Sequence, residues 1–329
     1  MSHMTNPLAT PDQLFQRRSF DSLPIELQDT ILFATQCLTQ AAGILLQLPQ
    51  SVTAQANVLL ARYWLVEPIM SHEFSDISAA ILYLTAKLSP HPRSPRDLSN
   101  VYAYLLSPST SLFHPPTSPP PSNNPSAYYL SEPAYQAFHT RLLHLEAHAL
   151  YTLSFDTHVA LPHPLAITYL QALDFLGCGG MASSKERIGQ RAVRYLNTAL
   201  LSPQLLCLTS QPNALAVAAI YNAARDVGAK MPECEWWEVF DVDREELGFL
   251  VVGMRSVEGW GRKMRADLKG MKMGVERGMV TRADVEAELR RRGLSVVVGN
   301  GRVGGGGGDA EEEAARRMDE KMAEMETGV

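Results

Sequence analysis

Cysteine is scarce in this sequence: Cys37, Cys178, Cys207 and Cys234 stand far apart in 329 residues, with no C-x-x-C pair. That spacing excludes a zinc ribbon and a dense disulfide framework, and it fits a reducing compartment. Long apolar runs are lacking too. None approaches the 18 residues of a membrane span, and the opening MSHMTNPLATPDQ has no basic-then-apolar leader layout. An intracellular, soluble protein is expected, with MSHM resembling an expression scar. Charge of one sign is also missing in bulk: 29 Lys and Arg stand against 35 Asp and Glu, a net charge of −6, so no specific nucleic-acid binding is expected. Alternating β-branched residues are almost absent, which excludes extended sheet.

What is present is apolar residues, 46% of the chain, recurring at three- and four-residue spacing. The length predicts about two domains, and the periodicity an all-α body with helices near 25–47, 53–66, 75–88, 95–106, 132–153, 163–176, 185–201, 212–228, 235–240 and 244–265. Charge divides the chain further: residues 1–261 carry −7, 262–292 carry +5 and 293–329 carry −4. The tail holds the glycine run Gly304 to Gly308 and reads as a disordered linker with an acidic end. A Pro/Ser-rich insertion, 107–133, has eight prolines and no helical prospect.

An internal repeat is the most informative pattern. Ala80-Ile81-Leu82-Tyr83-Leu84-Thr85-Ala86-Lys87 matches Ala218-Ala219-Ile220-Tyr221-Asn222-Ala223-Ala224-Arg225 at a constant offset of 138, as A-x-[IL]-Y-x-x-A-[KR]. Alanines three residues from the tyrosine share its helical face and admit a close neighbouring helix. A proline-containing turn and a short helical piece follow each copy: PHPRSPRDLSNVY after the first, GAKMPECEWWEVFD after the second.

Two tandem five-helix bundles of this kind resemble the cyclin fold, and in detail the cyclin L / cyclin Q group. The resemblance covers about 25–260 and is carried by TAQANVLLARYWL, DISAAILYLTAKL, LEAHALYTLSFDTHVALPHPLAITYLQAL and NALAVAAIYNAARDVGAKMPECEWWEVFDVD. The piece WWEVFD leans towards the cyclin Q type. It implies a first cyclin box over 25–160, a second over 161–261, an N-terminal extension over 1–24 and a basic helical extension over 262–292. It also implies a nuclear, non-catalytic subunit without cofactor. Its first repeat would bind the C-helix of a cyclin-dependent kinase acting in transcription or RNA processing and activate that kinase, with possible assembly partners at the tail. The alternative is a scaffold of the same fold that activates nothing.

By position, the resemblance assigns Lys87 and Glu146 to a clamp on kinase backbone groups, and Leu84, Tyr102, Leu143 and Leu150 to apolar anchors around it. Two departures stand out. Leu88-Ser89-Pro90 replaces the acidic pair that follows the lysine in many cyclins, and the first helix lacks the segment that builds a substrate-docking patch in cell-cycle cyclins.

Three other patterns bear chemistry. His139, His144 and His148 lie on one predicted helix, but HLEAH is not a zinc-binding motif and no metal site is expected. Gly299, Gly301 and Gly304 form a formal GxGxxG without a βαβ unit to complete it. The ten cations in 262–292 are interrupted by five acids and lack stacking aromatics, so they read as a solvated extension or partner-binding helix rather than a nucleic-acid site.

Overall fold

The computed structural model describes residues 4–20, 23–107, 129–175, 182–270 and 279–294. The body of the Pro/Ser-rich insertion, Cys178, the GxGxxG glycines and the acidic tail lie outside the described residues.

The described chain is helical, with no strand among the described residues. A short α1 (Pro11–Phe20) precedes a first bundle of α2 (Ile25–Leu45), α3 (Gln50–Val66), α4 (Phe74–Leu88), α5 (Pro95–Leu105) and α6 (Glu132–Thr152). The second bundle consists of α7 (Pro162–Ala172), α8 (Ala182–Ala199), the single turn α9 (Leu206–Thr209), α10 (Pro212–Val227), a 3-10 turn at Glu238–Phe240 and α11 (Arg244–Gly270). A last helix, α12 (Arg282–Arg291), follows.

Local chemistry explains the boundaries. Before α5, the Asp97 N–H donates to the Ser94 hydroxyl at 3.1 Å, the Ser94 N–H donates back to the Asp97 carboxylate at 3.4 Å, and Pro95 opens the first turn. The same reciprocal cap joins Thr281 and Asp284 before α12. Gly228, at φ +73°, ends α10 in a left-handed conformation that a side chain would strain.

The two repeat helices take equivalent places. α4 packs against α2, α3, α5 and α6, and α10 against α7, α8 and α11. Ala80 and Ala86 in one, and Ala218 and Ala224 in the other, are fully buried. Close approach recurs where α2 meets α3: a Cβ on Gly43 would collide with the Thr53 hydroxyl.

The bundles also share material. Ala54, Val58 and Ala61 of α3 form a small joint core with Leu200, Leu205, Cys207 and Leu208, and Ala9 and Leu14 pack on it. Asn6 pins the N-terminal segment there: its amide donates to the Ala160 carbonyl at 2.8 Å and accepts from the Ala160 N–H at 2.8 Å. The Gln211 amide in turn pairs with the Asn6 backbone at 3.0 and 3.1 Å. A polar seam runs alongside. Asn197 Oδ1 accepts from Gln50 at 3.0 Å and lies 2.9 Å from His163 Nε2, while Gln40 donates through Nε2 to Gln50 Oε1 at 2.8 Å.

The basic extension is not solvated, contrary to the charge-based expectation. α11 runs on past the second core, where Leu250 and Met254 are buried, and its far half gives Met264 and Leu268 to the core of the first bundle. Met279, Val280, Val285 and Leu289 join the same core. The described cations lie exposed or half-buried on the outer side, so net charge disguised a helix pair with an apolar inner stripe. Inside it, Glu288 is 4% exposed and accepts a two-pronged pair of hydrogen bonds from Arg291, both at 2.7 Å, and one from Arg292 at 2.7 Å. Those arginine contacts, led by Arg291, hold its carboxyl down at about 2.

Candidate functional site

The surface singled out by the repeat lies where α4 and α6 meet. Lys87, in the last turn of α4, donates through Nζ to Glu146 Oε1 at 2.9 Å. The pair is asymmetric: the lysine side chain is 56% exposed and the carboxylate 7%. Glu146 sits among Leu142, Leu145 and Ala149 on the inward stripe of α6, so the helix that buries the acid also fixes it under the lysine. The Glu146 contact raises the lysine's proton affinity above the ordinary value and keeps it charged. A cation held in this way still has N–H groups to offer a partner's carbonyls.

The other site residues divide by depth. Leu143 is 41% exposed and Leu150 is half-buried on α6, so both remain accessible on the outer side of the helix. Leu84 and Tyr102 do not. They are 2% and 1% exposed, within the first bundle. The Tyr102 hydroxyl lies 2.7 Å from Ser78 Oγ, which lies 2.7 Å from Thr39 Oγ1, so its polar end is satisfied inside the core.

The structure adds three aromatic residues that the sequence reading passed over. Lys87 Nζ lies 5.6 Å from the centroid of the Tyr83 ring, one turn back on α4. Tyr151 and Phe155 are 73% and 62% exposed and meet edge to face at 5.4 Å. Ser154 and Phe155 both have left-handed backbone, at φ 50° and 60°, an arrangement that turns the chain sharply after α6. The four-residue spacing of Tyr83 and Lys87, and of Tyr151 and Phe155, was the available signal.

The histidines of α6 are drawn apart. His148 Nε2 lies 3.3 Å from Glu67 Oε1, and His139 stacks on Tyr135 at 5.8 Å. Among the described residues, no group of three His, Cys, Asp or Glu side chains is placed to hold a metal. No described helix is long and apolar enough to cross a membrane.

No family model matches the chain. An uncharacterized cyclin-L1-like protein of Schizosaccharomyces pombe is 31% identical over 235 residues, 70% of this chain and 85% of that protein. The chain belongs to the cyclin family, in its cyclin L group. Human cyclin-L1 is 29% identical over 265 residues, and mouse cyclin-L2 is 29% identical over 258. This cyclin spans less than half of these two mammalian relatives, 44% and 45% of their lengths. The lean of WWEVFD towards the cyclin Q type gives way to the L assignment. In this cyclin that piece is largely structural: Trp236 is 3% exposed and faces Phe240 at 6.3 Å in the second core. The fold matches a chain in the crystal structure of the yeast RNA Pol II CTD kinase CTDK-1 complex with a TM-score of 0.60, at 14% identity, over 89% of this chain and 85% of that one.

Proposed function

We propose that this protein is the regulatory subunit of a cyclin-dependent protein kinase acting in transcription or RNA processing in the nucleus, and that it activates the kinase without doing chemistry itself. The observation that carries the reading is the Lys87–Glu146 pair, a half-exposed cation locked at 2.9 Å to a buried carboxylate between the third and fifth helices of the first bundle. In this reading Lys87 donates to backbone carbonyls at the end of the kinase C-helix. Leu143, Leu150 and the exposed Tyr151–Phe155 pair flank it with apolar surface, since interfaces draw most energy from a desolvated centre. Leu84 and Tyr102 act from within, by fixing the helices that present the surface.

The test is copurification with candidate cyclin-dependent kinases, followed by phosphoryl-transfer assays. Lys87→Glu, which sets two carboxylates together at the centre of the surface, is expected to reduce kinase binding at least about tenfold, in line with like-charge penalties at interfaces. It should also abolish stimulation, and it should lower the thermal midpoint, because the buried Glu146 loses its cation and faces a second carboxylate. Equal binding and stimulation by parent and variant would remove Lys87 from the interface. Binding without stimulation by the parent protein would instead favour a scaffold.

A further inference from the structure

The corner between third and fifth helices carries an ion pair in the second bundle too, one residue beyond Arg225, the repeat counterpart of Lys87. There the end of the third-helix equivalent, α10, carries Asp226, and the fifth-helix equivalent, α11, carries Arg255, joined at 2.9 Å. Asp226 also accepts from Arg191 Nε at 2.8 Å and from the Tyr195 hydroxyl at 2.7 Å, both on α8. Burial alone would raise its pKa, but Tyr195, Arg191 and Arg255 together outweigh it and hold the carboxyl below its usual range.

These contacts form the floor of an open pocket of about 480 Å³ between α8, α10 and α11. Asp226 engages Arg191 through Nε and Nη2, and Arg255 through Nη2, so among the described residues Nη1 of the first and Nε of the second are left for another acceptor. Arg194 lines the same pocket, is exposed, and its guanidinium pairs with no described residue. Glu258 at the rim is matched by Arg262 at 3.7 Å. Three arginines against one bound aspartate therefore leave about two positive charges concentrated at one point of a chain whose net charge is −6.

We propose that this pocket binds a phosphorylated peptide, the phosphomonoester resting on the outer edges of Arg191 and Arg255, with Arg194 closing over it. A phosphomonoester carries nearly two charges on three acceptor oxygens, matching both the local excess and the fork geometry of guanidinium groups. Asp226 fixes two of the arginines in place before any ligand arrives, which lowers the entropy cost of capture. A nucleic acid fits less well. It needs cations along a track, whereas here they converge on one site with Asp226 and Glu258 beside it. The inference goes beyond the kinase reading and shares no residue with it, so either can fail alone.

The experiment is fluorescence anisotropy on the full chain at physiological salt. The probe is a labelled glycine-serine peptide carrying one central phosphoserine, compared with the same peptide unphosphorylated. The expected result is at least about tenfold tighter binding of the phosphorylated peptide, the effect of a few charge-assisted hydrogen bonds. Arg194→Glu should erase that preference at an unchanged thermal midpoint, because the side chain supports no packing. Equal binding of the two peptides, or a preference that survives Arg194→Glu, overturns the proposal. Tighter binding of a single-stranded RNA or of anionic vesicles at the same salt overturns it as well.

Discussion

Residues at the joint between the bundles are held by polar contacts that depend on protonation. His163 is largely buried, its Nε2 faces Asn197 Oδ1 at 2.9 Å, and its Nδ1 is enclosed with no partner. Burial, opposed in part by the Asn197 contact, holds its pKa below the ordinary value of 6.5. The folded state therefore keeps the ring neutral while the unfolded chain takes up a proton, so stability is intact above pH 6.5 and lost progressively as pH falls from there through the folded-state value. His72 is shifted the same way, chiefly by burial, and adds to the trend. Thermal midpoints measured from pH 7.5 to 5.5 should fall in the parent protein, and less steeply in His163→Gln. An unchanged slope would mean that His163 is not the group responsible. The same scale shows where sequence reasoning stops. Lys87 and Glu146 were legible because a repeat and a family pattern mark them. Leu84 and Tyr102 were legible as apolar members of helices, but helical spacing gives direction around an axis and says nothing of depth, which depends on neighbours far away in the chain. The arginines around Asp226 carried no motif at all, since they converge from α8 and α11 onto the end of α10 only when the bundle closes.

At the scale of elements, helix boundaries fall where cap, proline and glycine chemistry stands: Ser94 with Asp97, Thr281 with Asp284, Pro212 and Gly228 each bound a helix. Two elements escaped. α1 has little apolar patterning and is anchored by Ala9 just before it and by Leu14 within it, and α9 is a single turn with no period to detect. The far half of α11 and α12 were legible as helix but not as core, because ten cations masked six buried side chains. Their packing sets a clear expectation. Leu268 and Leu289 are 0% and 4% exposed, so Leu268→Ala or Leu289→Ala should each cost about 2–5 kcal/mol, the range for emptying a buried leucine site. Denaturant titration followed by the fluorescence of Trp64, buried in the same core, reads the loss. A loss below about 0.5 kcal/mol would show that the C-terminal helices rest loosely on the bundle.

At the scale of the whole molecule, the two-bundle plan was legible from the 138-residue offset, while the exchange of material between bundles was not. A boundary drawn after residue 261 from the family pattern would cut through α11 and remove Met264, Leu268, Met279, Val280, Val285 and Leu289 from the first core. A chain ended there is expected to melt many degrees lower than one ended at residue 294 and to show a broadened transition, with the first bundle opening before the second. Scanning calorimetry of the two lengths compares them directly, and coincident melting would make the C-terminal helices dispensable.

That same shared helix bears on the order in which the chain acquires its structure. A protein made from its N-terminus folds its leading domain while the rest is still emerging. Here the leading bundle keeps an open apolar wall until residue 289 has been made, long after the second bundle has all its parts. The half of this cyclin that is synthesised first is therefore the half finished last, and during that interval its unfilled wall is available to chaperones.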